Sequence, residues 1–587
     1  MNRTLQLPGD VGGPPHRENS ADRSRGRHQF LACLILFPLA VLACAPPGAA
    51  RGHATETLPR TRAERSSYTE TSTHADVVAF LDALGAGRFP MQLGAVGTTS
   101  EGRSIPYVVA SRPLFGTPDA ARRSGRPIVY VQGNIHGGEV EGKEALQALL
   151  RDLLADPAPN VLDSIVLIAV PLYNADGNER FDRQARNRGS QNGPEMVGQR
   201  PNAQMLDLNR DYMKADAPET RGSLAMFAAW DPHVLVDLHT TNGSYHGYAL
   251  TYAPSLNPAG ELPGATFGAA WTRDSLLPEL QRRVQARHNV ATYSYGNFSQ
   301  PDGATGVPRA WLTYDHRPRF GTNYYALRGR IAVLSEAYSH DPFERRVEAT
   351  YAFTKELLSL VAEQRRAVLS LARTSDSAVS RWTGGSRAVP VRAELTTTPF
   401  QADVIYEVLE ATTDSTITEP GVRRGTRRTG QFVTRRMPVA DRFTPTLLRQ
   451  TPFGYALSSR DTSALRVLTL HGIRMFRTTR DWSGDAGEQF APDSTIIAPR
   501  PFQNRREVRQ HGRWVPRAPG TVTAGSIIVP VGQPLGVLVM YLLEPASDDG
   551  LMAWDIGGRS TPAPETAVIR LGTDPSIPMQ QVSFPPR

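Results

Sequence analysis

The sequence predicts an α/β catalytic region followed by a mainly β or α+β region, and three observations carry that reading. Between about residues 76 and 370, short continuous apolar runs alternate with helically spaced apolar residues, as in a sheet covered by helices. Beyond about 390, Pro and Gly punctuate short apolar runs and long helical patterns are few. The 587 residues also exceed one ordinary domain, so two cores are expected.

At the amino terminus, Arg23, Arg25, Arg27 and His28 precede an apolar run over 30–43. This is the layout of a secretory signal, and the run is too short for a membrane span. Residues 1–44 are therefore read as a signal peptide on an exported protein. Val41-Leu42-Ala43-Cys44 resembles a bacterial lipobox, whose cysteine is lipidated after cleavage. Two expectations stand: a periplasmic or outer-membrane lipoprotein tethered through Cys44, or a secreted protein. Both cysteines, Cys33 and Cys44, fall in this segment, so the folded part has no thiol to serve as ligand or nucleophile.

Residues 45–75 are rich in Pro, Gly, Arg, Ser and Thr and read as a flexible linker. The catalytic domain is placed at 76–370. Its buried strands are expected at 128–131, 165–170, 234–238 and 331–334, where apolar residues run without a break. Ala145, Leu146, Leu149, Leu150, Leu153 and Leu154 mark a helix between the first two. A helix over about 347–372 closes the domain, 371–395 forms a second linker, and 396–587 is an accessory domain. The runs 404–408, 467–470 and 526–531 supply its strands. With no comparable cluster of histidines and carboxylates, its role is packing, stability or recognition.

A formal charge of +8 invites a nucleic-acid reading, which the distribution removes. Lysine occurs only at 143, 214 and 355, and the arginines are scattered among acids without a basic, aromatic-rich stripe. With 40% hydrophobic and 21% charged residues the chain also lacks the composition of a disordered protein. No part of the sequence signals an oligomeric state.

The chemistry concentrates in Val131-Gln132-Gly133-Asn134-Ile135-His136-Gly137-Gly138-Glu139, where a buried strand gives way to a helix. Functional groups of open α/β sheets gather at such strand ends. His136 and Glu139 converge on one metal if the backbone bends tightly, which Gly137 and Gly138 ease. His239 ends the run 234–238 and is the best third ligand. Two histidines and one carboxylate leave a position for water, the pattern of a catalytic zinc ion.

His136-Gly-Gly-Glu139, Asn174-Ala175-Asp176-Gly177, Asp207-Leu208-Asn209-Arg210, His239 and Glu336, in this order, resemble a zinc carboxypeptidase of the carboxypeptidase A clan over about 76–360. The resemblance implies a mixed, mostly parallel eight-stranded sheet with helices on both faces, and one zinc ion on His136, Glu139 and His239. It further implies that Asp207 holds His136 and that Glu336 is the general base acting on zinc-activated water. Asn209 and Arg210 would grip the terminal carboxylate of a peptide substrate, Arg186 or Arg188 would stabilise the oxyanion, and Tyr314 would cap the substrate. His246, His316 and His340 lie near these motifs and read as hydrogen-bonded structural residues. Asp237-Leu238-His239-Thr240-Thr241 also resembles amide deacylases of the aspartoacylase and succinylglutamate desuccinylase type, whereas Asn174 to Gly177 does not. A third class is a surface-binding protein that keeps the fold without catalysis.

Overall fold

The computed structural model describes residues 58–261, 268–299, 306–413, 425–484, 487–517, 520–561 and 563–584. The signal-like run, Cys33, Cys44 and the start of the expected 45–75 linker lie outside the described residues. No helix of the described residues is long and apolar enough to cross a membrane.

An eight-stranded sheet forms the catalytic region. Its strands are β1 (Met91–Thr98), β2 (Ser104–Ala110), β3 (Ile128–Gly133), β4 (Val166–Val170), β5 (Val234–Thr240), β6 (Leu250–Pro254), β7 (Thr292–Ser294) and β8 (Ile331–Ala337). In space they run β1-β2-β4-β3-β5-β8-β6-β7. The pairs β4·β3, β3·β5, β5·β8 and β6·β7 are parallel, and β1·β2, β2·β4 and β8·β6 antiparallel. The mixed, mostly parallel eight-stranded sheet is the one implied by the motifs. Its central strands β3, β5 and β8 are buried along their whole length, which is why they read as unbroken apolar runs.

Helices cover both faces. One face packs against α1 (His74–Ala86), α2 (Glu141–Ala155), α4 (Leu277–His288) and α6 (Phe343–Glu363). The other packs against α3 (Pro218–Trp230) and α5 (Gly321–Leu327), and its core continues into the carboxy-terminal region through Val379, Trp382, Tyr455, Leu465 and Trp554. Helix α2 approaches the sheet backbone to backbone. A Cβ on Gly142 would stand 2.7 Å from Leu238 Cβ, and one on Gly133 would stand 2.9 Å from the Gly142 carbonyl carbon.

Both stretches expected as linkers carry regular structure. Thr71 Oγ1, Ser72 N and Ser72 Oγ donate to the buried Glu144 carboxylate at 2.9, 2.6 and 2.9 Å, which anchors the chain ahead of α1. In the second stretch, a helix α7 (Arg365–Ser380) buries Leu371, Ala372 and Val379, and the strand Ala388–Leu395 pairs with Phe443–Gln450. The single helix expected over 347–372 is two, broken at Gln364 with φ −95° and ψ 20°. Neither Gly nor Pro marks that break.

The carboxy-terminal region is β-rich, with a seven-stranded sheet and a four-stranded sheet built on a hairpin of Phe400–Ala411 and Thr426–Ala440. That hairpin joins the strand Trp311–Leu312 of the catalytic region. The run 467–470 is helical rather than extended. Asp461 accepts from Ala464 N and starts the helix Thr462–Leu470, where Ala464, Leu465, Val467 and Leu468 form one buried face.

His471 joins the two regions. Its Nε2 faces Met213 O at 3.2 Å and its Nδ1 faces Tyr324 Oη at 2.9 Å. Burial pulls its pKa down to about 3. A base whose folded pKa lies below its ordinary value of about 6.5 binds fewer protons folded than unfolded. Its contribution is therefore fully present above about 6.5 and falls as pH drops toward 3.

Two outcomes are expected. Gly142→Ala should destabilise by about 1–3 kcal/mol in urea titrations, although alanine is the better helix former. The urea midpoint should fall on acidification below pH ~6.5, and His471→Gln should flatten that dependence.

Candidate metal centre

The three expected ligands meet at the carboxyl ends of β3 and β5. His136 and Glu139 lie on the loop between β3 and α2, and His239 is the penultimate residue of β5. Their ligand atoms all lie within 4.8 Å of one another. Glu139 Oε1 is 3.0 Å from His136 Nδ1 and Glu139 Oε2 is 3.0 Å from His239 Nδ1. Parallel register sets Glu336 of β8 directly beside His239.

Glycine serves the loop differently from the expectation. Among the residues of this turn, positive φ belongs to Asn134, at 61°, and not to Gly137 or Gly138. Close approach is what excludes side chains. A Cβ on Gly137 would stand 2.4 Å from the Gly177 carbonyl carbon, and one on Gly138 would stand 2.6 Å from Gly198 O. The Asn174-Ala-Asp-Gly177 segment is thus the wall against which the ligand loop is pressed. Asn134 Nδ2 then donates to the carbonyls of His136, Gly137 and Glu139 at 3.2, 3.1 and 2.9 Å.

Carboxylates stand behind both imidazoles. Asp207 Oδ1 is 3.0 Å from His136 Nε2, and Asp237 Oδ2 is 3.0 Å from His239 Nε2. Asp207 by its hydrogen bond, and Asp237 by its charge alone since neither of its oxygens has a hydrogen-bond partner among the described residues, favour the proton on the nitrogen away from the centre and leave each Nδ1 lone pair facing it. The donor set of two imidazoles and one carboxylate, with oriented second nitrogens, fits one zinc ion. Asp237 escaped the sequence reading. Its signal was an acid inside the apolar run of β5, two residues from His239 and so on the same face.

The charges are mutually compensated. Burial opposes ionisation of Glu139, but His136 and Arg188 hold its carboxyl well below the ordinary range. Burial likewise works against Asp207, which Arg200, Arg210 and His136 hold well below the usual value. Burial pushes Glu336 up to about 8, against the pull of His239 and with the help of Glu139. Its Oε2 is buried with no hydrogen-bond partner.

A cleft of about 220 Å³ opens on this centre and is lined by His136, Glu139, Asn209, Arg210, His239, Tyr314 and Glu336 among others. The structure therefore brings together most of the expected site. Arg210 stacks on Phe320 with its guanidinium carbon 3.8 Å from the ring centroid, and Asn209 Oδ1 accepts from Gly321 N at 2.8 Å. Tyr314 Oη lies 2.8 Å from Thr322 Oγ1.

The two arginines chosen from sequence are not in the cleft. Arg186 pairs with Asp182 and its side chain is 77% exposed. Arg188 lies behind the ligands, donating to Glu139 Oε1 at 2.9 Å and toward the carbonyls of Thr240 and Thr241 at 3.3 and 3.2 Å. Arg200, which the sequence reading missed, lines the cleft instead. Its Nε donates to Asp207 Oδ2 at 2.9 Å, and its Nη1 lies 3.4 Å from Glu139 Oε1. It sits in an irregular loop with no periodic or motif signal. His246, His316 and His340 do not line the cleft: His246 lies against Tyr338, His316 meets Asp548 at 2.9 Å, and His340 stacks on Tyr245.

Residues 77–325 match the family model described as zinc carboxypeptidase. Over those residues the chain is similar to zinc carboxypeptidases. Over 143 residues it is 31% identical to Carboxypeptidase 2 of Trichophyton rubrum, spanning 24% of this chain and 23% of that relative. Over 217 residues it is 27% identical to Carboxypeptidase D of Mus musculus, spanning 34% of this chain and 16% of that one. The chain thus spans less than a quarter of the length of these relatives. Among solved structures it is similar to a metallo-carboxypeptidase from Burkholderia cenocepacia, with TM-score 0.36 and 17% identity over 50% of this chain and 70% of that one. Carboxypeptidase A from Helicoverpa armigera aligns with TM-score 0.36 and 16% identity over 50% and 74%.

In the matched region, Asp207→Asn and Asp237→Asn should each lower zinc affinity about 10–100-fold in chelator competition.

Proposed function

We propose that this protein is an exported zinc metallocarboxypeptidase that removes the terminal residue of peptides by hydrolysing the last peptide bond. The observation that carries the reading is Arg210, held on Phe320 inside the cleft that also contains the ligand triad and Glu336. Its guanidinium donates to Asn209 O at 2.7 Å, and Asp207 Oδ2 is 4.0 Å away. Burial pulls its pKa down, as expected of a cation short of counter-charge. A substrate's terminal carboxylate supplies that charge, and the planar fork suits it.

Zinc, when bound, acts as a Lewis acid that polarises the scissile carbonyl and acidifies water. The protein's own groups do the rest. Glu336 takes a proton from the attacking water and delivers it to the leaving amine. Its raised pKa suits a base that must give the proton back. Arg200, the other arginine lining the cleft, stabilises the oxyanion. Arg188 fixes the Glu139 carboxylate from behind. Asn209 with Arg210 orients the substrate, and Tyr314 closes over it. The basic and apolar order of residues 23–43 supports export, with Cys44 as a lipid anchor or a secreted form as the alternative.

Glu336→Gln should keep stoichiometric zinc by elemental analysis and lose about 10²–10⁴-fold in turnover of a peptide pool. Amidation of the peptide carboxyl terminus should abolish trimming by the unaltered enzyme. Turnover of acyl-amino acids without trimming would favour the deacylase reading, and zinc-free protein inert to both would favour a binding role.

A further inference from the structure

Asp315 lines both the catalytic cleft and a neighbouring cavity of about 440 Å³ between the catalytic and carboxy-terminal regions. Arg392 lines this cavity and a second one of about 230 Å³. The second is walled by Arg392, Arg449, Arg509 and His511, with Glu394 as the one carboxylate among its lining residues. Three guanidiniums and an imidazole thus converge on a space with one exposed acid.

The charges are only partly neutralised internally. Arg392 is only 6% exposed. Its Nη2 donates to Gln510 O at 2.6 Å and its Nη1 lies 3.3 Å from His511 Nδ1, but its Nε is buried with no partner. No carboxylate comes within ion-pair distance of Arg392 among the described residues. Arg449 donates to Gly512 O at 2.9 Å, and its Nε is 3.6 Å from Glu544 Oε2. Glu544 is already engaged by Tyr455 Oη and Trp514 Nε1 at 2.6 and 2.9 Å, and burial pushes its carboxyl up toward the neutral form. Burial, with Arg509 and Arg449 nearby and against the pull of Asp548, brings Arg392 down to about 10. A buried guanidinium without a counter-ion is costly. The fork of an arginine has the geometry to hold an oxyanion through two donors.

We propose that the cavity bounded by Arg392, Arg449, Arg509 and His511 binds a small phosphate-type oxyanion, a site separate from the metal centre. Arg392 supplies the buried charge and Arg509 the outer rim.

Isothermal titration calorimetry of the zinc-loaded protein with inorganic phosphate, at constant ionic strength, tests this. One saturable site is expected. Arg392→Met and Arg509→Gln should each weaken it about tenfold or more. Should Arg392→Met fail to fold, the exposed Arg509 variant carries the comparison. Glycerol phosphate titrated in parallel identifies the source: equal affinity assigns the site to the free ion, and tighter binding assigns it to a phosphoryl group on a larger molecule. Absence of saturable heat would overturn the proposal. So would affinity unchanged in both variants and lost in Arg210→Met, which would place the phosphate in the catalytic cleft.

Discussion

Glu139 is 2% exposed, yet its two oxygens face three donors, Arg188, Arg200 and the Thr240 amide, together with the Nδ1 atoms of His136 and His239. A carboxylate withdrawn from water to this degree is tolerable only when surrounded by charge and hydrogen bonds. Those partners come from the β3–α2 loop, the 188–200 segment and β5, so satisfying one side chain fixes three pieces of chain. The close contact of Gly133 and Gly142 brings α2 near enough for the carboxylate to reach both imidazoles. Backbone approach and electrostatics thus specify the same geometry.

The carboxy-terminal region takes part in that geometry. Gln503 Oε1 accepts from Asp207 N at 2.7 Å, Arg505 forks onto Asp216 at 2.7 and 2.8 Å, and Asp549 accepts from Arg319 N and Nε at 2.6 and 3.0 Å. The Asp207–Arg210 and 315–320 segments, which contribute to the cleft, are therefore braced by residues 296 and 230 positions later. Residue 503 itself adopts φ 51°, a conformation unusual for glutamine.

The core strands and the ligand triad were legible because their signals are local: unbroken apolar runs for β3, β5 and β8, and polar residues placed just where those runs end. Asp207 was legible through its motif. Arg200 was not, because an irregular loop has no period and its place is set by Asp207 and Glu139 after folding. The two stretches taken for linkers misled because polar composition hides a specific anchor, such as Glu144 gathering Thr71 and Ser72. The run 467–470 misled because four apolar residues alone do not distinguish strand from helix, and the deciding residue was the cap at Asp461.

The family match ends at residue 325, six positions before β8 begins. β8 pairs on one side with β5 and on the other with β6, and it holds Glu336. The end of the family match therefore falls inside a continuous sheet. What the family match marks as a unit and what folding treats as a unit differ here, and recombination of this domain with other partners would have to carry along chain beyond the match.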